Sequence, residues 1–263
     1  MNESNDNISQ VGNPQQAVAE FVGEQFIAWL MAYIPHEMKA WPVVNRLGSI
    51  QTSTDKIKKF MLQRFLAAEA FIGTREGDPG FLRFAIANLS ESDDSSAESA
   101  LETLEKIRQE ELAGHKMEKG IVQTVHRELW LRLLRALGAT DEEIDRAEPK
   151  DSTRNYIAEL SDIYSSSEWQ TAVGAFAGHE RAEPEEYAAI LKMLKANTAL
   201  TDKELEILRL HIGSDTSYII STGHILDKIV FDRENKQLVW DGIERQLEVR
   251  KEFLEGIAKY LEN

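Results

Sequence analysis

Apolar residues recur every three or four positions along most of the chain, which is the spacing of one face of an α-helix. One such stripe follows the helix-capping sequence Ser53-Thr54-Asp55 and consists of Ile57, Phe60, Met61, Phe65 and Ala68. Only the segment VFDRENKQLVW resembles a hairpin, and no other stretch predicts a strand. The pattern therefore predicts an all-α protein.

Start and stop signals divide this pattern into about nine helices. Pro35 is expected to follow the end of the first helix, Gly138 to end the helix before it, and Pro184 to separate two others. The predicted helices lie at residues 15–33, from 54, 80–89, 96–112, 122–137, within 168–180, after 184, from 201 through 215, and 239–260. Residues 1–14 are predicted to be a disordered tail, and residues 15–263 one compact helical domain.

Composition excludes several classes of protein. The 263 residues contain no cysteine, which removes disulfides, thiolate metal sites and cysteine nucleophiles. Thirty basic against 45 acidic residues give a net charge of −15, which repels nucleic acids and anionic membranes. The polar N-terminus has no apolar signal core, and the longest apolar run, 26–34, is too short to cross a bilayer. We therefore expect a cytoplasmic protein.

Phosphate loops, nucleophile elbows and zinc-ligand spacings are absent, which leaves carboxylates and imidazoles on helices as candidate chemistry. Helical bundles build di-iron sites from such groups. His211 and Asp215 are four residues apart, so both side chains can reach one point on a helix face. The alternative interpretation of this pair is a surface ion pair.

Three further positions combine a polar side chain with an apolar helix face. His126 lies among Val and Leu residues, and Glu180 follows a run of Ala and Gly residues. Glu111 continues the stripe of Leu104 and Ile107, so it should point inward, whereas Glu110 is turned away by about 100°. The alternatives are a hydrogen-bonded core histidine, the start of a solvent loop after Glu180, and an ordinary acid at a helix end.

Taken in order, five segments resemble the heme-oxygenase-like superfamily, and its CADD-like and di-iron oxidase branch in particular. They cover most of the chain from about residue 36 onward. The segments are AWPVVNRLGSIQTSTDKIKKFMLQRFLAAEAFIG, IRQEELAGH, VHRELWLRLLRALGA, VGAFAGHERAEPEEY and LHIGSDTSY. The resemblance implies a heme-oxygenase-like helical bundle.

The same resemblance implies a set of metal ligands in this chain. The implied ligands are Glu111 (or Glu110), His126, Glu180, His211 and Asp215. Two features depart from the family pattern. Tyr218 stands where the last motif usually has a histidine, which makes it a candidate ligand or catalytic residue. The separation between the first glutamate and His126 is long, so Glu118 is a further alternative for the first ligand.

The function implied by the resemblance is that of a non-heme iron oxidase or oxygenase with one or two iron ions and dioxygen as co-substrate. Its substrate would be a small amino-acid-like or fatty-acid-like molecule. The absence of cysteine argues against a thiaminase II, and His36 lacks a heme motif. The alternatives are a metal-free relative, such as an oxidase like pyrroloquinoline-quinone synthase or a small-molecule-binding protein, and a structural helical protein. The resemblance also implies a homodimer.

Overall fold

The computed structural model describes residues 13–73, 80–113, 125–213 and 223–262, and all regular secondary structure in these ranges is helical. In chain order the helices are α1 (Pro14–Glu20), α2 (Glu24–Ala40), α3 (Pro42–Leu47), α4 (Thr54–Ile72), α5 (Leu82–Ser90), α6 (Ser95–Ala113), α7 (His126–Ala136), α8 (Asp141–Asp145), α9 (Asp151–Tyr164), α10 (Trp169–Asn197), α11 (Glu206–Gly213), α12 (residues 223–229) and α13 (Arg233–Glu262). The prediction of an all-α fold is confirmed. Among these helices none is long and apolar enough to cross a membrane.

The two longest helices, α10 and α13, pack along each other at the centre of the fold. Two glycines allow their backbones to touch. A Cβ atom on Gly174 would lie 2.1 Å from the carbonyl oxygen of Val239, and one on Gly242 would lie 2.0 Å from that of Thr171. Any larger residue would therefore push the two helices apart.

The remaining long helices surround this central pair. Helices α2 and α11 pack on α10, α4 packs on α13, and α9 contacts both central helices. Helix α7 reaches the bundle through α4 and α11. The predicted start of α4 is confirmed, because the Ser53 side chain accepts a hydrogen bond from the backbone N–H of Lys56. The apolar stripe of α4 is buried, including Ile57, Phe60 and Phe65.

The prediction that the first helix ends before Pro35 is wrong. The structure has two helices here, and α2 continues through Pro35 to Ala40. A proline leaves the carbonyl four residues earlier without its helical partner. In this fold the Nε of Arg181, on α10, donates to that carbonyl of Met31 at 2.9 Å. A contact from a distant part of the chain thus offsets the local cost.

The prediction of separate helices on either side of Pro184 is also wrong, because α10 is continuous from Trp169 to Asn197. Glu180 therefore lies inside a helix, and the alternative that it begins a solvent loop is wrong. The helix is buried on both sides of the proline, and Arg250 of α13 donates to the carbonyl of His179 at 2.7 Å. Packing against α13 outweighs the local cost of the proline.

Other boundaries also differ from prediction: α11 begins at Glu206 instead of at residue 201, and α13 at Arg233 instead of at residue 239. The hairpin-like segment consists of the turn that follows α12 and the start of α13, so no strand forms there. Helix α7 begins at His126 instead of at residue 122. Residues 122–124 lie outside the described residues, as do residues 1–12 of the predicted tail. Asn13 caps α1, which begins at Pro14, inside the predicted tail.

Candidate metal centre

A small cavity of about 50 Å³ lies among α4, α6, α7, α10 and α11. Four of the predicted metal ligands line it: Glu111, His126, Glu180 and His211. Asp215, Tyr218 and Glu118 lie outside the described residues. The structure therefore brings together, at one point, side chains that are up to 100 positions apart in the sequence, counted from 111 to 211.

Glu111 and His126 meet where α6 ends and α7 begins. The Oε2 atom of Glu111 contacts the Nδ1 atom of His126, and both side chains are mostly buried. Burial lowers the pKa of His126, but the negative charge and hydrogen bond of Glu111 outweigh it and raise the pKa. Glu110 is not among the residues lining the cavity, and its carboxylate lies 3.9 Å from the Lys106 ammonium.

His211 is oriented by its own helix. Its Nδ1 atom lies 2.8 Å from the carbonyl oxygen of Ile207, so Nδ1 carries the proton and Nε2 keeps its lone pair. The ring stacks on Tyr187 at 4.5 Å and lies 5.2 Å from the ring of His126. Burial lowers the pKa of His211, which favours the neutral form that binds metals.

Glu183 is a site residue that the sequence analysis missed. Its Oε2 atom lies 3.8 Å from Nε2 of His211, and its Oε1 atom lies 3.2 Å from Nε2 of His179. Burial raises its pKa, but His179, His211 and Arg250 together hold the pKa well below its usual value. Glu183 is therefore a carboxylate. The spacing of His179 and Glu183, four residues apart, would have indicated this pair had the helix been predicted to continue.

Two arginines and two glutamates form a buried ion network at the cavity wall, which we define as Arg64, Glu183, Glu186 and Arg250. Nε of Arg64 lies 2.6 Å from Glu186 Oε1, and Nε of Arg250 lies 3.0 Å from Glu186 Oε2. Both arginines also reach Oε1 of Glu183, at 3.1 and 3.5 Å. Because the two positive and two negative charges balance, the network can be buried without a net charge.

The donor atoms suit an iron ion. His179, Glu180 and Glu183 each offer one ligand atom within 4.8 Å of the others, and the cavity adds Glu111 and His211. The ring of His179 stacks on Phe71 at 4.4 Å, and burial lowers its pKa, so it is neutral. Hard carboxylate oxygens and neutral imidazoles are the ligands of non-heme iron in helical bundles.

Comparison with known proteins agrees with this chemistry. The profile of a protein family described as iron-containing redox enzyme matches residues 63–251. Among curated proteins, no sequence matches the chain.

Solved structures of low sequence identity have the same fold. A CADD-like protein of unknown function from Nostoc punctiforme is 14% identical with a TM-score of 0.71, covering 89% of this chain and 98% of that one. A domain of unknown function with a heme oxygenase-like fold from Shewanella denitrificans is 15% identical with a TM-score of 0.65, covering 90% of both chains. A TenA homologue from Pseudomonas syringae pv. tomato is 13% identical with a TM-score of 0.59, covering 94% of this chain and 98% of that one. The predicted heme-oxygenase-like bundle is confirmed.

Proposed function

Because the chain belongs to the iron-containing redox enzyme family, we propose that it is a non-heme iron oxidoreductase that uses dioxygen to oxidise a small molecule in this cavity. The observation that carries the proposal is the convergence of carboxylates and neutral imidazoles on one buried cavity. We propose a di-iron centre held by Glu111, His126, Glu180 and His211, with Asp215 as a further ligand. When bound, iron supplies the binding and reduction of dioxygen.

The surrounding residues prepare the ligands for this role. The Ile207 carbonyl fixes which nitrogen of His211 is available, and the Tyr187 ring fixes the plane of the imidazole. Glu183 lies beside the imidazoles of His179 and His211, and these two groups together with Arg250 hold its pKa low, so that it stays ionised. Such contacts to metal-binding histidines typically change metal affinity 10- to 100-fold, as an order of magnitude.

The residues of the cavity wall determine where a proton is held and how far water can enter. The Glu111 carboxylate favours a proton on Nδ1 of His126 by raising the pKa of the ring, and a cation bound by these groups would displace that proton. Phe65, Phe71 and Trp130 line the cavity with apolar surface. These apolar side chains limit the access of water to the reacting groups on their side of the cavity.

A metal-free relative is the second candidate, and one observation favours it. The carboxylate of Glu183 is already satisfied by Arg64, Arg250 and His179, and Glu111 is paired with His126. A polar cluster that is satisfied without a cation is compatible with a protein that keeps the cavity and has lost the metal. The homodimer expected from the resemblance stays a prediction.

Anaerobic titration with iron(II), followed by metal analysis of untagged protein, separates the two candidates. We expect one to two iron ions per chain in the wild type and a loss of at least half of them in His211→Ala. His224→Ala is the matched control, because His224 is exposed on α12 and does not line the cavity. A wild-type protein that binds no iron, or a His211→Ala variant that binds as much as the control, would overturn the proposal.

A further inference from the structure

An arginine lies beside the candidate ligands, where the cavity meets solvent. Arg127 follows His126 at the start of α7, and both residues line the cavity. Its Nε donates to Oε1 of Glu69, on α4, at 2.9 Å. The side chain of Glu69 is 3% exposed whereas that of Arg127 is 35% exposed. Glu69 therefore fixes the guanidinium on its buried side, and the other side of the guanidinium is accessible to solvent.

The guanidinium of Arg127 has donors left over. The bond to Glu69 uses Nε, and the two terminal nitrogens have no hydrogen-bond partner in the described part of the chain. The other arginine that lines the cavity, Arg64, is 3% exposed and donates from Nε and NH2 to Glu186, Glu183 and Tyr187. Terminal guanidinium N–H groups suit the two oxygens of a carboxylate.

The cavity wall next to Arg127 is apolar. Phe65, Ala68 and Ile72 of α4 line it at helical spacing, and Trp130 of α7 lies three residues after Arg127. None of these side chains offers a partner to a polar group, apart from the indole N–H of Trp130. The combination of one cationic head-group site and an apolar wall selects a molecule with an anionic end and an apolar body.

We infer that Arg127 binds the carboxylate of the substrate, and that the substrate is a small carboxylic acid whose apolar part lies against α4. The inference rests on the proposed function in that it takes this cavity as the active site. Held at Arg127, the substrate lies next to His126, since the two residues are adjacent on α7 and share the cavity. Arg127 is then a specificity-determining residue, and Glu69 positions it.

The test measures binding without turnover. Iron(II)-loaded protein under argon is titrated calorimetrically with hexanoate, 1-hexanol and hexylamine, which differ only in the head group. We expect hexanoate to bind at least tenfold more tightly than either uncharged or cationic analogue. Arg127→Gln should abolish this preference, and Arg127→Lys should keep part of it, because a lysine retains the charge without the planar pair of donors.

Arg132→Gln is the matched control, because Arg132 lies on the same helix, pairs with Glu206 at 2.6 Å and does not line the cavity. It should bind all three probes like the wild type. If iron-loaded wild type shows no preference for hexanoate, or Arg127→Gln keeps it with iron content unchanged, the inference is wrong and the proposed function stands. If the protein binds no iron but hexanoate binding depends on Arg127, the proposed function is wrong and the inference about Arg127 stands. Should Arg127→Gln fail to fold, Arg127→Lys decides, since a full wild-type preference in that variant overturns the bidentate contact.

Discussion

The fully buried Glu186 provides the sharpest stability prediction, because it joins the two arginines of the buried ion network. Its side chain is 0% exposed, and its two oxygens lie 2.6 Å from Arg64 and 3.0 Å from Arg250. Glu186→Gln keeps the shape of the side chain but removes its charge. The variant leaves two buried guanidinium groups facing a single carboxylate, that of Glu183.

The expected cost follows from the burial of these charges. Removing one partner of a buried ion pair typically costs about 3–5 kcal/mol, since the other charge stays buried without compensation. Because the glutamine oxygen still accepts one hydrogen bond, we expect the lower end, about 3 kcal/mol of unfolding free energy. For a chain of this size, 1 kcal/mol lowers the melting temperature by roughly 2–4 °C, so the expected drop is about 6–12 °C.

The assay is urea unfolding, with scanning calorimetry for the melting temperature, of metal-free protein. Glu185→Gln is the matched control. Glu185 is the residue before Glu186, and its carboxylate pairs at 3.0 Å with Lys39, whose side chain is 64% exposed. Such a surface pair contributes about 0–1 kcal/mol. Equal losses in the two variants would refute the idea that Glu186 holds a buried network together.

Three further predictions test other parts of the fold. Gly174→Ala should destabilise by at least about 2 kcal/mol, because its new Cβ would meet the α13 backbone at 2.1 Å, whereas Gly178→Ala, with its nearest neighbour at 3.4 Å, should cost little in the same denaturant series. Pro35→Ala restores a helical N–H, so a double-mutant cycle should show that Arg181→Met costs less in that background. Burial lowers the pKa of His179, so the unfolded chain takes up that proton first and metal-free stability falls as the pH drops below 6.5. His179→Gln should reduce that loss, measured by urea unfolding between about pH 7 and pH 5, and an undiminished loss would contradict the assignment.

The apolar pattern was enough to predict the helices, because each long helix hides one face in the core. The capped start of α4 and the inward direction of Glu111 both follow from local spacing. The two proline boundaries could not be predicted in this way. Arg181, which is 150 residues from Met31 in the sequence, donates to the carbonyl that Pro35 frees, and α10 continues through Pro184 because it packs along α13. Helix propensity depends on nearby residues only, so it cannot predict contacts of this kind.

The proline in α10 also explains why part of the candidate site escaped the sequence analysis. With the helix broken at Pro184, His179 and Glu183 would be separated by a turn and a loop, and their spacing would mean nothing. In the continuous helix they lie four residues apart on one face, 3.2 Å from each other. The same continuity carries Glu186 to the next turn, where both arginines can reach it. The feature that hid these residues in the sequence is therefore one that the structure needs in order to build the cluster, because a helix that ended at Glu180 could not present all three side chains to α4, α11 and α13.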